Sequence, residues 1–393
     1  EIPATLALPE SLKSPISQQE LQQQLERKLS SAVNSGWDML NDFKDQQLFR
    51  IEMRHTLGHC TPFGAFSKEL TDLAEVIITS AVETGWKQLS SALGDPWNDL
   101  TNSPCQCTIA ALGKFGGVEL GFASDIEIML IYEAAGKTNG SQSTSNAEFF
   151  ERLIRLLNQE IRSAQDGIFQ LDLRMRPYGK AGPTAVLLEN LTQYYAVGGP
   201  AWPFERQAMV RFRPVAGSKT FGQQVAQVVH AICYHKEQFD FDAMRAMRER
   251  QIRQLVFAGR IHAKLSDGGL VDCEYAVQAL QLVWGKRYPA LQQTNTLAVL
   301  KAASDCSLIS KDDAATVQNA CIFLRELIDC LRMVRGNAQD LNVPEQGSAA
   351  WNALAQRMQQ VHGSHIPLNE LEQQMAVIRQ FSERVRQLVA NFS

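Results

Sequence analysis

The sequence carries no basic excess. Its 38 lysines and arginines face 42 aspartates and glutamates, a net charge of −4. A surface that neutralises phosphates along a nucleic acid usually shows the opposite bias, so the balance counts against a DNA or tRNA partner. No apolar run is long enough to span a bilayer, and no signal-peptide core is present, so neither a membrane nor a secretory setting is expected. The eight cysteines show no disulfide framework. Cys105-x-Cys107 is too tight for a usual zinc pair and has no second pair nearby, which leaves reduced thiols in a cytoplasmic protein as the reading. There is no internal repeat and no low-complexity tract. The Walker A pattern is missing as well: Lys114 sits in a glycine-rich turn without the Gly-x-x-x-x-Gly-Lys-Ser/Thr spacing, so no P-loop is read.

What is there is a chain of 393 residues, 45% of them hydrophobic, long enough for two or three domains with sizeable cores. It begins at Glu1 rather than Met, as expected of a trimmed chain or part of a longer protein. Glu1 to Pro15, with three prolines, reads as an arm. Ser17-x-x-Glu20 is a capping box ahead of Leu21, Leu25, Leu29 and Val33, an amphipathic helix ending near Gly36. A second helix is expected over Asp45 to Gly58, and a third from Thr61-Pro62 to about Leu93, stopped by Gly94-Asp95-Pro96. Arg50, Arg54, His55 and His59 read as a solvated face. Residues 1–100 are therefore expected to form a helical region, 101–217 a mixed catalytic domain and 218–393 a helical bundle. The bundle helices are expected at roughly 218–236, 241–260, 272–284, 311–335, 348–361 and 368–391.

The middle region holds the informative stretch. An apolar run over Thr108 to Leu112 enters a turn with Gly113, Gly116 and Gly117. A second run follows, in which Asp125 and Glu127 alternate with Ile126 and Ile128. Alternation of period two predicts a strand with both carboxylates on one face. Two adjacent carboxylates repel, and a hard divalent cation relieves them. Glycines upstream allow backbone N–H groups close to a polyphosphate. A loop over Gly136 to Ser145 and a helix from Ser145 to Gly167 come next. A third strand is expected over Ile168 to Arg176, with Phe169, Leu171 and Leu173 on one face and Gln170, Asp172, Arg174 and Arg176 on the other. Beyond Val186 the pattern reads as almost entirely helical.

Asp125, Glu127 and Asp172 on neighbouring strands would hold two magnesium ions, with Asp172 the third ligand and a candidate general base. Arg174 and Arg176 are candidates for phosphate contacts, because a guanidinium fork matches phosphate oxygens. Lys180, in the loop that follows, is a weaker candidate.

Gly116-Gly117 followed by Asp125-x-Glu127 resembles the signature of the polymerase-β-type nucleotidyltransferase superfamily. The fuller string Gly116-Gly117-Val118-Glu119-Leu120 with Ser124-Asp125-Ile126-Glu127 is similar to one branch, the glutamine synthetase adenylyltransferases. Three further blocks resemble that branch: Phe169 to Pro177 with Gly179 and Gly182-Pro183, Phe204 to Arg211, and Asp267 to Tyr275. The resemblance implies an α+β fold, a polymerase-β-like domain with a small mixed sheet flanked by helical N- and C-terminal regions. It implies magnesium or manganese and ATP or ADP, and transfer of AMP to or from a tyrosine of glutamine synthetase, with the PII signalling protein as regulator. It places Gly116, Gly117, Ser124, Arg174 and Arg176 at the nucleotide, and Glu205, Arg206, Asp272 and Glu274 at second-tier positions.

Three departures stand out. Glu127 replaces the usual Asp, Val271 a frequent Arg, and Pro203 precedes Phe204 where Trp-Glu is expected. The two-cassette relatives carry this unit twice and this chain once. Gly167-Ile168-Phe169 and Val277 to Gln281 look more like the N-terminal, adenylyl-removing half. The direction of transfer stays open. The rival readings are a non-catalytic nucleotide- or PII-sensing module of the same fold, and a nucleotidyltransferase with another acceptor.

Overall fold

The capping box at Ser17 forms as written: the Ser17 amide donates to Glu20 at 2.9 Å, and the Glu20 amide donates back to Ser17 Oγ at 3.3 Å. It opens α1 (Gln18–Ser30), whose Leu21 and Leu25 are buried. The computed structural model describes residues 12–30, 36–163, 168–234, 240–336, 340–360 and 367–390. Most of the arm, Val33 of the first helical stripe, and Gly167 lie outside them. Helix α2 runs Gly36–Thr56, starting well before Asp45, because Trp37, Leu40 and Phe43 extend its buried stripe. Helix α3 runs Ala65–Leu93 and ends at Gly94, as the breaker cluster predicts.

A two-stranded ribbon, β1 (Trp97–Asn98) with β2 (Ser103–Pro104), leads into the main sheet. There β3 (Cys107–Ala111) pairs antiparallel with β4 (Ile126–Tyr132). The glycine turn between them closes as a single helical turn, α4 (Gly113–Gly116). Helix α5 (Asn146–Glu160) is capped by the Ser145 side chain. Strands β5 (Leu171–Asp172) and β6 (Ala185–Leu187) both run parallel to β4, at its two ends. Helices α6 (Leu188–Tyr195) and α7 (Pro203–Ala208) follow, and β7 (Arg213–Gly217) closes the sheet on the far side of β3.

The result is α+β: a small mixed sheet among helices, consistent with the polymerase-β-type nucleotidyltransferase fold. Beyond Glu127 strand β4 is buried on both faces. Ile126, Ile128 and Leu130 share one core with α1, α2, α3 and α5. Met129 and Ile131 pack with α6 and with α8 (Lys219–Cys233) on the other face.

The C-terminal half is helical and has its own core. It comprises α9 (Phe241–Leu255), α10 (Leu270–Trp284), α11 (Thr296–Asp305), α12 (Lys311–Arg335), α13 (Ala349–Gln360) and α14 (Leu371–Ala390). All six helices expected from residue 218 onward are found, as α8, α9, α10, α12, α13 and α14. Helix α11, capped by Asn295, escapes the periodicity because it is only ten residues long.

Four expectations change. The third strand pairs only at Leu171 and Asp172, since Phe169 takes a positive φ of 56° and breaks the extended run. Two strands, β6 and β7, stand where helix or nothing was read; each is short, and Pro214 masks the second. Arg50 and Arg54 are buried rather than solvated, and Arg54 pairs with buried Glu69 at 2.9 Å. His55 is no solvated residue either: it stacks on Phe66 with ring centroids 4.0 Å apart. All eight cysteines are free thiols, and seven are buried.

Candidate active site

The β4–β5 register sets Glu127 directly opposite Asp172. Asp125, two residues earlier, lies on the same side by the strand period. All three carboxylates thus lie at one end of the sheet. Asp125 and Glu127 border a cleft of about 360 Å³ between the sheet and the C-terminal helices. Burial, then the charge of Asp172, pushes the Asp125 carboxyl above its ordinary range. Burial also raises Glu127, with Asp172 adding to it and Lys264 opposing it. For Asp172 burial alone would do the same, but the hydrogen bonds and charge of Arg174 reverse it and leave the group low.

The glycine turn supports Glu127. The Lys114 amide donates to Glu127 Oε2 at 3.1 Å. A Cβ on Gly113 would sit 1.4 Å from that oxygen, so only glycine leaves the carboxylate its place. The Lys114 side chain borders the cleft, and burial together with the charges of Arg332 and Lys264 pushes its ammonium down to about 7.

The other expected nucleotide contacts are occupied within the fold. The Gly116 and Gly117 amides donate to Leu112 O at 2.7 Å and Gly113 O at 3.1 Å. Gly116 serves a close approach: a Cβ there would lie 1.9 Å from Arg211 O. Ser124 Oγ borders the cleft and accepts from the Gly121 amide at 3.0 Å. Arg174 grips Asp172, Nε at 2.9 Å from both oxygens and Nη2 at 2.6 Å from Oδ2. Arg176 turns away and donates to Gly182 O at 3.2 Å, bracing the loop after β5. Lys180 is exposed on that loop and does not border the cleft.

The second-tier residues divide. Glu205 receives the Trp202 amide at 2.8 Å and the Tyr194 hydroxyl at 2.9 Å, so it caps α7. Arg206 donates to Ala196 O at 2.8 Å. Asp272 holds the Gly268 amide at 2.7 Å and Arg248 at 2.6 Å, fixing the start of α10. Glu274 alone of these four borders the cleft, 3.4 Å from Arg211. Burial would raise its carboxyl, but Arg211, Lys114 and Lys264 hold it below the ordinary range.

Sequence reasoning missed Lys264 and Arg332, which add positive charge to the cleft. Lys264 sits in a loop without period. Arg332, in the last turn of α12, looks like an ordinary complement to the helix dipole. It missed the glutamines Gln207, Gln251 and Gln278 too, which border the cleft from three helices.

Glu127 and Asp172 face each other across β4 and β5, and carboxylate oxygens are the kind of donor magnesium and manganese take. The raised Asp125 and Glu127 carboxyls are the electrostatic state a divalent cation relieves. Among the described residues no group of three or more His, Cys, Asp or Glu side chains is gathered closely enough to hold an ion.

Comparison with known proteins agrees with this architecture. Residues 3–228 match the family described as glutamate-ammonia ligase adenylyltransferase, and residues 242–393 match GlnD PII-uridylyltransferase. Similar curated proteins are named bifunctional glutamine synthetase adenylyltransferase/adenylyl-removing enzyme. The one from Hahella chejuensis is 32% identical over 79% of this chain and 32% of its own length. The one from Thioalkalivibrio sulfidiphilus is 30% identical over 82% of this chain and 34% of its own. The one from Pseudomonas aeruginosa is 32% identical over 74% of this chain and 30% of its own. The chain thus spans about a third of the length of the relatives it matches. The first of these matches covers more than half of the residues, and the chain belongs to the glutamate-ammonia ligase adenylyltransferase family.

Proposed function

We propose that this chain is a nucleotidyltransferase unit that adds AMP to, or removes it by phosphorolysis from, a tyrosine of glutamine synthetase in a cytoplasmic setting. The observation that carries the reading is the convergence of Asp125, Glu127 and Asp172 at one end of a sheet, beside a cleft rich in cationic side chains. In attachment, the tyrosine oxygen attacks the α-phosphorus of ATP and pyrophosphate leaves. In removal, inorganic phosphate attacks the phosphorus of the AMP–tyrosine ester, the bond to the tyrosine oxygen breaks and that oxygen takes up a proton, and the AMP departs joined to phosphate as ADP.

The residues divide the work. Asp125 and Glu127 would hold magnesium or manganese, with Asp172 as third ligand once Arg174 lets go of it. The ion, when bound, neutralises phosphate charge and activates the attacking oxygen. Lys114, Lys264 and Arg332 supply positive charge for the phosphates, and the Lys114 amide keeps Glu127 aimed. Arg174 exchanges Asp172 for a phosphate oxygen, for which its planar fork is equally suited. PII is the proposed regulatory partner, because the half that carries α9 to α14 matches a PII-uridylyltransferase. Among the described residues no helix is long and apolar enough to cross a membrane.

A non-catalytic nucleotide-sensing module is the second reading, and the Arg174 grip on Asp172 is the observation that favours it. One experiment separates the two. Unmodified glutamine synthetase is given labelled ATP and adenylylated enzyme is given phosphate, each with wild type, Asp125→Ala and Asp172→Ala. Label transfer or ADP release by wild type alone is expected. No turnover in either direction leaves the sensing module, and unimpaired variants remove the carboxylates from the mechanism.

A further inference from the structure

Asp125 stands between two anchors that belong to different halves of the molecule. On one side is Ile126, whose amide joins β4 to Gln170 O at 2.8 Å. On the other is a tight turn over residues 121–124. The Ser124 amide donates to Gly121 O at 3.2 Å, and Ser124 Oγ accepts the Gly121 amide at 3.0 Å. Of the two central residues only Ala123 has a positive φ, 50°, the pattern of a type II turn. Glycine or asparagine is usual there, so alanine holds the turn against a steric preference. A flip of the peptide between Phe122 and Ala123 would give the commoner type I turn. It would relieve Ala123 and send the Phe122 carbonyl to the opposite side.

Two residues of α12 stand against that flip. Asp329 and Arg332 are three apart, so they share one helix face. Arg332 Nη1 donates to Phe122 O at 2.7 Å and to Ser124 Oγ at 3.4 Å. Asp329 Oδ1 accepts the Phe122 amide at 3.1 Å. The helical half thus grips Phe122 by its N–H and by its C=O. Gly121 makes room for the grip: a Cβ there would lie 2.3 Å from Asp329 Oδ1. Its φ is not in the left-handed region, so close approach is what calls for glycine at this position.

We infer that Asp329 is a positioning residue for Asp125: with Arg332 it clamps the 121–124 turn in its strained form, so that the carboxylate end of the sheet is complete only with α12 in place. The inference rests on the proposed function above, in which Asp125 is a metal ligand.

The test is manganese binding to the full chain without nucleotide, followed by electron paramagnetic resonance. Asp329→Ala removes the acceptor for Phe122 and is expected to weaken binding roughly tenfold, as loss of an outer partner of a metal ligand does. Gly121→Ala keeps every charge and displaces the Asp329 carboxylate from the opposite side, so a similar loss is expected. The displaced atoms are the far end of a side chain, so this variant is expected to fold and carries the test should Asp329→Ala not fold. Asp329→Asn removes the charge and keeps the acceptor, and is expected to stay within about threefold of wild type. Thermal melts establish that each variant is folded at the temperature of the titration. Alanine variants that bind as wild type does overturn the inference. So does an Asp329→Asn protein as weak as Asp329→Ala, since charge rather than the bond to Phe122 would then be the cause. Wild type that binds no manganese, or whose binding survives Asp125→Ala, removes the metal reading and the inference with it.

Discussion

Glu119 and Arg325 meet at 2.5 Å with the carboxylate wholly shielded from solvent. Arg211 reaches the same carboxylate at 3.1 Å, and the Thr296 amide donates to it at 2.7 Å. Glu119 directly follows the glycine turn, whereas Thr296 opens α11 and Arg325 lies in α12. One acidic side chain thus fastens the turn under the candidate active site to the helical half. Glu119→Ala leaves two buried guanidinium groups without their anion and is expected to cost about 3–5 kcal/mol. Glu119→Gln keeps an acceptor for the Thr296 amide and is expected to cost less. Urea denaturation midpoints measure both, and an Ala variant as stable as wild type would sink the account.

Arg174 holds the Asp172 carboxylate, for which a metal ion would compete if Asp172 is the ligand proposed above. The Arg174 side chain is 64% exposed, so its pair adds little stability. Arg174→Gln is expected to leave the melting temperature nearly unchanged. Manganese binding without nucleotide is expected to tighten by up to roughly fivefold, the upper worth of an exposed pair. With ATP present the sign reverses, because the guanidinium is lost from the phosphates. Titration followed by manganese electron paramagnetic resonance reads both signs. Unchanged metal affinity in the variant would mean that Asp172 is no ligand.

Two glycines of the same turn separate function from stability. A Cβ on Gly113 meets the far end of the Glu127 side chain, which can swing away. A Cβ on Gly116 meets the backbone oxygen of Arg211, which cannot. Gly113→Ala is therefore expected to lose most metal-dependent nucleotide binding at a stability cost of about 1 kcal/mol, the strain of its positive φ. Gly116→Ala is expected to lower stability by a few kcal/mol, as overpacking against a fixed backbone does. Calorimetric nucleotide binding paired with thermal melts distinguishes them. A stable Gly116→Ala protein, or a Gly113→Ala protein with full binding, contradicts the assignment.

The carboxylate pair was legible in the sequence because a half-buried strand writes its two faces as alternation, and Asp125-Ile126-Glu127-Ile128 does so plainly. The long amphipathic helices were legible for the same reason at period 3.6. What stayed hidden has a common cause. Strands β5 and β6 are two and three residues long, too short for any period to register. Arg54 and Arg211 look like surface charges until their partners, Glu69 and Glu119, arrive from elsewhere in the chain. Arg174 was readable either as a phosphate ligand or as the partner of a local acid, and in the structure it holds Asp172, two residues away. The glutamines of the cleft carry no charge and no motif. Only the helix packing that leaves the carbonyls of Gln207 and Gln251 unpaired makes them stand out.

Glu52 gives the fold a pH dependence of its own. Its carboxyl stands beside a small cavity lined by Leu48, Leu70, Leu120 and Ile126, and burial pushes it up to about 7. In the unfolded chain the same group titrates near 4.5. Between those values the folded state holds the proton and the unfolded state has released it, so folding becomes less favourable as pH rises through that window. Above about pH 7 both states are ionised and the penalty is complete, about 3 kcal/mol from the size of the shift. Glu52→Gln keeps the shape and removes the charge. The variant is therefore expected to be the more stable protein near pH 8, with the advantage shrinking to well under half by pH 5. Denaturant midpoints of both proteins at the two pH values measure this. An advantage equal at both, or larger at the lower pH, would show that ionisation of Glu52 in its apolar pocket is not what couples folding to protons here.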